Sequence, residues 1–174
     1  YLHMPSAVAC QSGTAAIHLA MMECGIGSKD GVIVPTLTFI AAVNPVSYLC
    51  AQPIFMDCDE SLCMDPIKLE SFCRSECFLE DGKLYTKEGK IHIKAIVVVH
   101  VFGNLCDMEA IMEIAKEFRL KVIEDATESL GTKYCQGTYI GRYAGTIGDF
   151  GAFSYNGNKI ITTSGGGALV LKDE

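Results

Sequence analysis

The sequence predicts an α/β layer architecture with a mainly parallel sheet, and three observations carry that prediction. Ala95-Ile96-Val97-Val98-Val99-His100 is an unbroken, β-branched run of strand length, the pattern of a strand buried on both faces. Shorter runs of the same kind alternate with helical patterns along the chain, as parallel sheets with crossover helices require. Ser12-Gly13-Thr14, followed by good helix formers and then Gly25, reads as a polar cap, a helix and a glycine stop.

In chain order, the capped helix covers residues 15–24. Residues 32–35 read as a short buried strand and 39–50 as a helix interrupted or begun near Pro45. Residues 53–57 form the next strand, and Asp65-Pro66 opens a helix running to about Cys77. Residues 79–90 are polar, with Asp81-Gly82 and Glu88-Gly89 as turn signals, which predicts a surface excursion. After the 95–100 strand, residues 108–118 form an amphipathic helix with Ile111, Ile114, Ala115 and Phe118 on one face. Strands at 121–125, 150–154 and 167–171 complete the set.

The chain has 174 residues, 49% apolar and 20% charged, the balance of one folded domain with a sizeable core. Its net charge of -7 argues against a nucleic-acid partner. An anionic ligand must then be held by local amides and a few cations. No apolar run is long enough to span a bilayer. Nine cysteines are an odd number without repeating spacing, so a reduced, cytoplasmic chain without a metal site is expected, even for Cys73 and Cys77 one helical turn apart. Cys10, Cys24, Cys50 and Cys106 are expected as small core residues. Tyr1 and Lys172-Asp173-Glu174 look like cut ends, as of a fragment.

Candidate chemistry clusters in few places. Lys159 sits in Ser154-Tyr155-Asn156-Gly157-Asn158-Lys159, just before Gly165-Gly166-Gly167, where glycines leave room for a ligand's body. A lysine forming a Schiff base needs such a partly desolvated slot, because the amine attacks a carbonyl only when unprotonated. Ser12-Gly13-Thr14 offers helix-start amides, a hydroxyl and a positive dipole end to a phosphate, or serves as an ordinary N-cap. Asp125 ends a buried strand, where it either holds the ring nitrogen of pyridoxal phosphate (PLP) protonated or caps residues 126–130. Phe39 suits stacking on a ring or core packing. His100 either lines the pocket or is hydrogen-bonded at its strand end.

Taken together, Ser12-Gly13-Thr14-Ala15-Ala16, the 34–41 stretch Val-Pro-Thr-Leu-Thr-Phe-Ile-Ala, His100-Val101-Phe102-Gly103, Glu124-Asp125-Ala126-Thr127-Glu128 and Ser154 with Lys159 resemble, in order and spacing, the DegT/DnrJ/EryC1/StrS sugar aminotransferases. The resemblance covers nearly the whole chain. It implies the aspartate-aminotransferase fold (PLP-dependent transferase fold type I), a three-layer α/β/α large domain over 1–174 lacking an N-terminal arm and a C-terminal small domain. It implies PLP as cofactor, with Lys159 linked to it and shuttling the proton. Asp125 would pair with the ring nitrogen, Glu128 would contact the ring hydroxyl side and Phe39 would stack on the ring. Gly13, Thr14 and Ser154 would bind the phosphate. Glutamate would donate the amino group to a nucleotide-linked 4-keto-6-deoxy sugar, UDP-linked N-acetylhexosamine first, for polysaccharide biosynthesis. Alternatives are a GDP-perosamine type, a 3-keto or an aminoshikimate-like acceptor, or a non-catalytic regulatory homologue. A homodimer is expected at full length.

Overall fold

Ile96 and Val98 face one layer of helices while Ala95, Val97 and Val99 face the other, because successive strand residues point to opposite sides of a sheet. In the computed structural model, which describes residues 1–172, this alternation organises everything else. The strands are β1 (Ser6–Cys10), β2 (Asp30–Pro35), β3 (Gln52–Met56), β4 (Cys77–Glu80), β5 (Lys83–Thr86), β6 (His92–Val99), β7 (Lys121–Asp125), β8 (Phe150–Ser154) and β9 (Gly167–Leu171). The helices are α1 (Gly13–Glu23), α2 (Asn44–Tyr48), α3 (Pro66–Ser75) and α4 (Met108–Phe118).

Seven strands run in the order β1-β9-β8-β7-β6-β2-β3, with β3, β2, β6, β7 and β8 parallel to their neighbours and β9 antiparallel to β8. β1 closes this edge, antiparallel to β9. Helices α3 and α4 bury Leu69, Cys73, Ile111, Ile114 and Phe118 on one face. Helix α1 buries Ala16, Ile17, Ala20 and Met21 on the other. The result is the expected three-layer α/β/α sandwich with a mixed, mostly parallel sheet.

Several local expectations need correction. The 79–90 excursion is instead largely the β4–β5 hairpin, closed by Asp81 and Gly82, both at positive φ (50° and 74°), and joined to the sheet through β5 and β6. Its polar residues hid a pairing signal, for Leu84 is buried and Phe78 stacks on Tyr85 at 5.8 Å. The 39–50 helix divides into a 3-10 turn (Ile40–Ala42) and α2, whose first turn takes Pro45 because its missing N–H is not needed there. Helix α3 stops at Ser75, and Cys77 already belongs to β4. β1 was not anticipated, since its residues are mostly exposed and it pairs only at an edge.

Among the four cysteines expected in the core only Cys106 is buried; Cys10 and Cys24 are half-buried. Cys50 is exposed in a left-handed turn (φ 56°) after α2. Cys63, Cys73 and Cys77 take the core positions, and all nine cysteines are free thiols. No cluster of three or more metal-ligating side chains occurs among the described residues.

At one point the sheet admits only glycine. A Cβ on Gly151 would lie 1.9 Å from the carbonyl oxygen of Gly145. Gly151→Ala therefore has to displace backbone beside β8. It is expected to cost about 3 kcal/mol, read as a lowered urea midpoint with unchanged slope.

Candidate active site

The C-terminal ends of β6, β7 and β8 reach the same edge of the sheet, since Val99 pairs with Asp125 and Asp125 with Ala152. Helix α1 starts beside them. Gly13 makes this approach possible, because a Cβ there would lie 2.7 Å from Thr127 Cγ2 and 2.9 Å from Ser154 Cβ. The N-terminus of α1 thus meets the ends of β7 and β8. Ser12 caps it, its hydroxyl accepting from the Ala15 amide at 3.1 Å. The first-turn amides of Gly13 and Thr14 are left outside the helix ladder.

These groups open onto a cavity of about 460 Å³, a size suited to a small cofactor. Each of Gly13, Thr14, Phe39, Asp125, Glu128, Ser154 and Lys159 contributes to its wall. Sequence reasoning missed Thr38, Val101, Phe102, Thr127, Asn156 and Asn158 in the same wall. Thr127 could have been read from its place two residues after Asp125. Phe102 could not, because its left-handed backbone (φ 55°) and exposed ring appear only after folding.

Asp125 is buried, with the Thr127 amide donating to its Oδ1 at 3.0 Å. Residues 126–130 form turns rather than a helix, so the capping reading survives only as this local turn. Burial pushes the Asp125 carboxyl above the usual carboxylate range, against the opposing pull of its Thr127 hydrogen bonds and of His100 and Lys159. Lys159 lies in the loop after β8, its side chain 14% exposed, and its ammonium bonds the Glu128 carboxylate. The loop is held closed by Tyr155, whose carbonyl accepts from the Thr163 amide at 3.0 Å and the Thr162 hydroxyl at 3.1 Å. The triple glycine is not in the cavity wall: Gly167 instead lets β9 pass close to the Ser12 backbone. Phe39 stands at the cavity mouth, 79% exposed.

His100 is not in the cavity wall either. It is buried behind the site, with Nε2 2.9 Å from Glu124 Oε2 and Nδ1 accepting from the Cys106 amide at 3.2 Å. Glu124, fully buried, also accepts from the amides of Gly145 (2.9 Å), Ile147 (2.6 Å) and Gly148 (2.6 Å). Burial alone would raise its carboxyl, but these bonds and the His100 ring outweigh it and hold it below the usual range.

Both buried acids carry a testable consequence. A lowered folded pKa means that Glu124 contributes stability above its unfolded value, about 4.3, and loses it as pH falls further. Glu124→Gln is expected to cost about 3 kcal/mol at neutral pH, read as a lowered urea midpoint, and to flatten the acid limb between pH 5 and 3. Asp125 has the opposite sign, since its ionised form is disfavoured by folding and burdens the protein at neutral pH. Asp125→Asn keeps the acceptor for Thr127 and should raise the Tm of the cofactor-free protein by about 2–4 °C, seen by calorimetry.

Comparison with known proteins gives the site its context. The pattern defining the DegT/DnrJ/EryC1/StrS aminotransferase family matches residues 1–174. The chain is 44% identical to the GDP-perosamine synthase of Escherichia coli O157:H7 over 99% of its own length and 42% of that protein's. It is 41% identical to the enzyme of the same name from Caulobacter vibrioides, over 100% of this chain and 42% of that one. A crystal structure of a DegT/DnrJ/EryC1/StrS aminotransferase from Brucella abortus superposes with a TM-score of 0.88 at 33% identity, covering 99% of this chain and 43% of that one. The chain thus spans about two-fifths of the length of these relatives. Sequence, sheet topology and the strand-end cavity converge, and the chain belongs to the DegT/DnrJ/EryC1/StrS aminotransferase family, whose aminotransferases use PLP.

Proposed function

We propose that this chain is the large, cofactor-binding domain of a PLP-dependent aminotransferase acting on a nucleotide-linked keto sugar. The observation carrying the reading is that the Lys159 amine, the Asp125 carboxylate and the start of α1 open onto one cavity. The residues present fit the cofactor. A buried carboxylate that makes no ion pair among the described residues suits a protonated ring nitrogen, and the α1 amides with the Ser154 hydroxyl suit a phosphate.

PLP, when bound, supplies an electron sink conjugated to the carbon that exchanges its amino group. The remaining work falls to side chains. Asp125 holds the proton on the ring nitrogen, and its burial strengthens that pairing. Lys159 Nζ would take the proton from the amine-bearing carbon and return it to the cofactor carbon across the nitrogen, a transfer a flexible amine can span. Glu128 steadies the Lys159 amine. Gly13, Thr14 and Ser154 grip the phosphate without a full positive charge, using the helix dipole. Phe39 closes over the ring from the cavity mouth. Phe39 and Phe102 leave exposed apolar rings in the cavity wall, which suits covering by a second copy in a homodimer.

For the acceptor, the GDP-perosamine synthases among the relatives favour a GDP-linked keto sugar of the perosamine type. The UDP-linked N-acetylhexosamine expected from the sequence becomes the second reading, and glutamate remains the proposed donor. The test gives the full-length protein PLP, glutamate and GDP-, UDP- or dTDP-linked 4-keto-6-deoxy sugars in turn, with 2-oxoglutarate release measured. The GDP sugar should exceed the others by at least about tenfold in kcat/KM, and Lys159→Ala should lose release with all of them. Release with none would remove the aminotransferase reading, and a faster UDP arm would restore the first expectation.

A further inference from the structure

The turn that follows β6 puts an aromatic ring where the backbone resists it. Phe102 has φ 55° and ψ 19°, and Gly103 after it has φ 86°. In this left-handed region a β-carbon crowds the following carbonyl, so glycine and asparagine are the residues that fit. Nine non-glycine residues have positive φ among the described residues, and of these Phe102 alone lines the strand-end cavity.

The turn is fixed from both sides. The Gly103 amide donates to the His100 carbonyl at 3.2 Å, and the Asn104 amide to the Val101 carbonyl at 2.9 Å. His100 is itself held by Glu124 and the Cys106 amide, and Val101 is buried. Yet the Phe102 ring gains little from the fold, since it is 75% exposed. A residue ill-suited to its backbone and left unburied serves no local stability, which directs attention to a ligand. Its place narrows the contact. A β-carbon on Gly103 would stand 3.5 Å from the Glu128 carbonyl oxygen, and the Glu128 carboxylate bonds the Lys159 ammonium. The ring therefore stands one residue from a segment packed on the holder of the reacting amine.

We propose that Phe102 is an acceptor-binding residue whose ring packs on the apolar C–H face and the 6-deoxy methyl of the keto sugar. This rests on the aminotransferase reading above. The keto carbon must reach the Lys159 amine, which brings the hexose to this part of the wall. The nucleotide base, separated from the hexose by its phosphates, lies farther away. A phenyl ring offers its electron-rich face to C–H groups and has nothing to bond a hydroxyl, so it reads the apolar side of the sugar. Glutamate, acyclic and carrying two carboxylates, presents no such face. Because the turn fixes the backbone beneath the ring before the sugar arrives, little freedom is lost on binding.

The test uses the full-length protein loaded with PLP and the nucleotide-linked keto sugar that the wild type aminates best. Phe102→Asn removes the ring but suits the left-handed turn, so its Tm should equal or exceed that of the wild type. The expected result is a KM for the keto sugar raised about tenfold, with the KM for glutamate and the bound-PLP spectrum unchanged. Phe102→Tyr, which keeps the ring, should hold the sugar KM close to the wild-type value. The proposal is overturned if Phe102→Asn leaves the sugar KM unmoved, or if inhibition by the free nucleoside diphosphate weakens equally, which would set the ring against the base. It is also overturned if the variant loses its oligomeric state or Tm and both substrates suffer alike, as for a merely structural ring. Transfer by the wild type to no keto sugar would remove the aminotransferase reading, and this inference with it. Wild-type transfer with an unmoved KM in the variant removes this inference alone.

Discussion

The buried carboxylate of Glu124 is the contact on which the site depends. It ties the His100 ring at the end of β6 to three amides of the loop entering β8, and so fixes the ends of three neighbouring strands relative to one another. Its neighbour Asp125 points to the opposite face, as adjacent strand residues must, and therefore toward the cavity. One acid is thus buried with a full set of donors and the other with few. Their pKa values move in opposite directions for that reason.

That asymmetry links stability to function. A carboxylate held in a desolvated place without a cation is a burden to the cofactor-free fold and an asset to any ligand that brings a positive charge. The same logic applies to the proposed phosphate site at the start of α1, where helix-start amides would serve in place of lysines or arginines. A chain of net charge -7 can hold a phosphate this way, because the dipole acts locally and the overall field does not decide the matter.

Much of this was legible in the sequence, and the failures are instructive. The apolar run at 95–100, the Ser12 cap with the Gly25 stop, and the Ile111, Ile114, Phe118 face of α4 report local periodicity, which burial then enforces. The β4–β5 hairpin was hidden because its polar residues spoke louder than its alternation, and β1 because an exposed edge strand carries little apolar signal. Cys50 was misread as core because its apolar neighbours do not reveal the left-handed turn that exposes it. The triple glycine was read as ligand space, whereas Gly167 answers a backbone crossing that no local pattern announces.

By itself the sequence determined the alternation of strands and helices, the fold class, and the residue types at Lys159, Asp125 and the start of α1. These follow from short-range rules of periodicity, capping and chain stiffness. Only the tertiary structure decided that His100 braces Glu124 instead of facing the cavity, and that Glu128 meets Lys159. The reason is that strand order brings together residues dozens of positions apart, and no spacing along the chain encodes which sheet face or loop they will share.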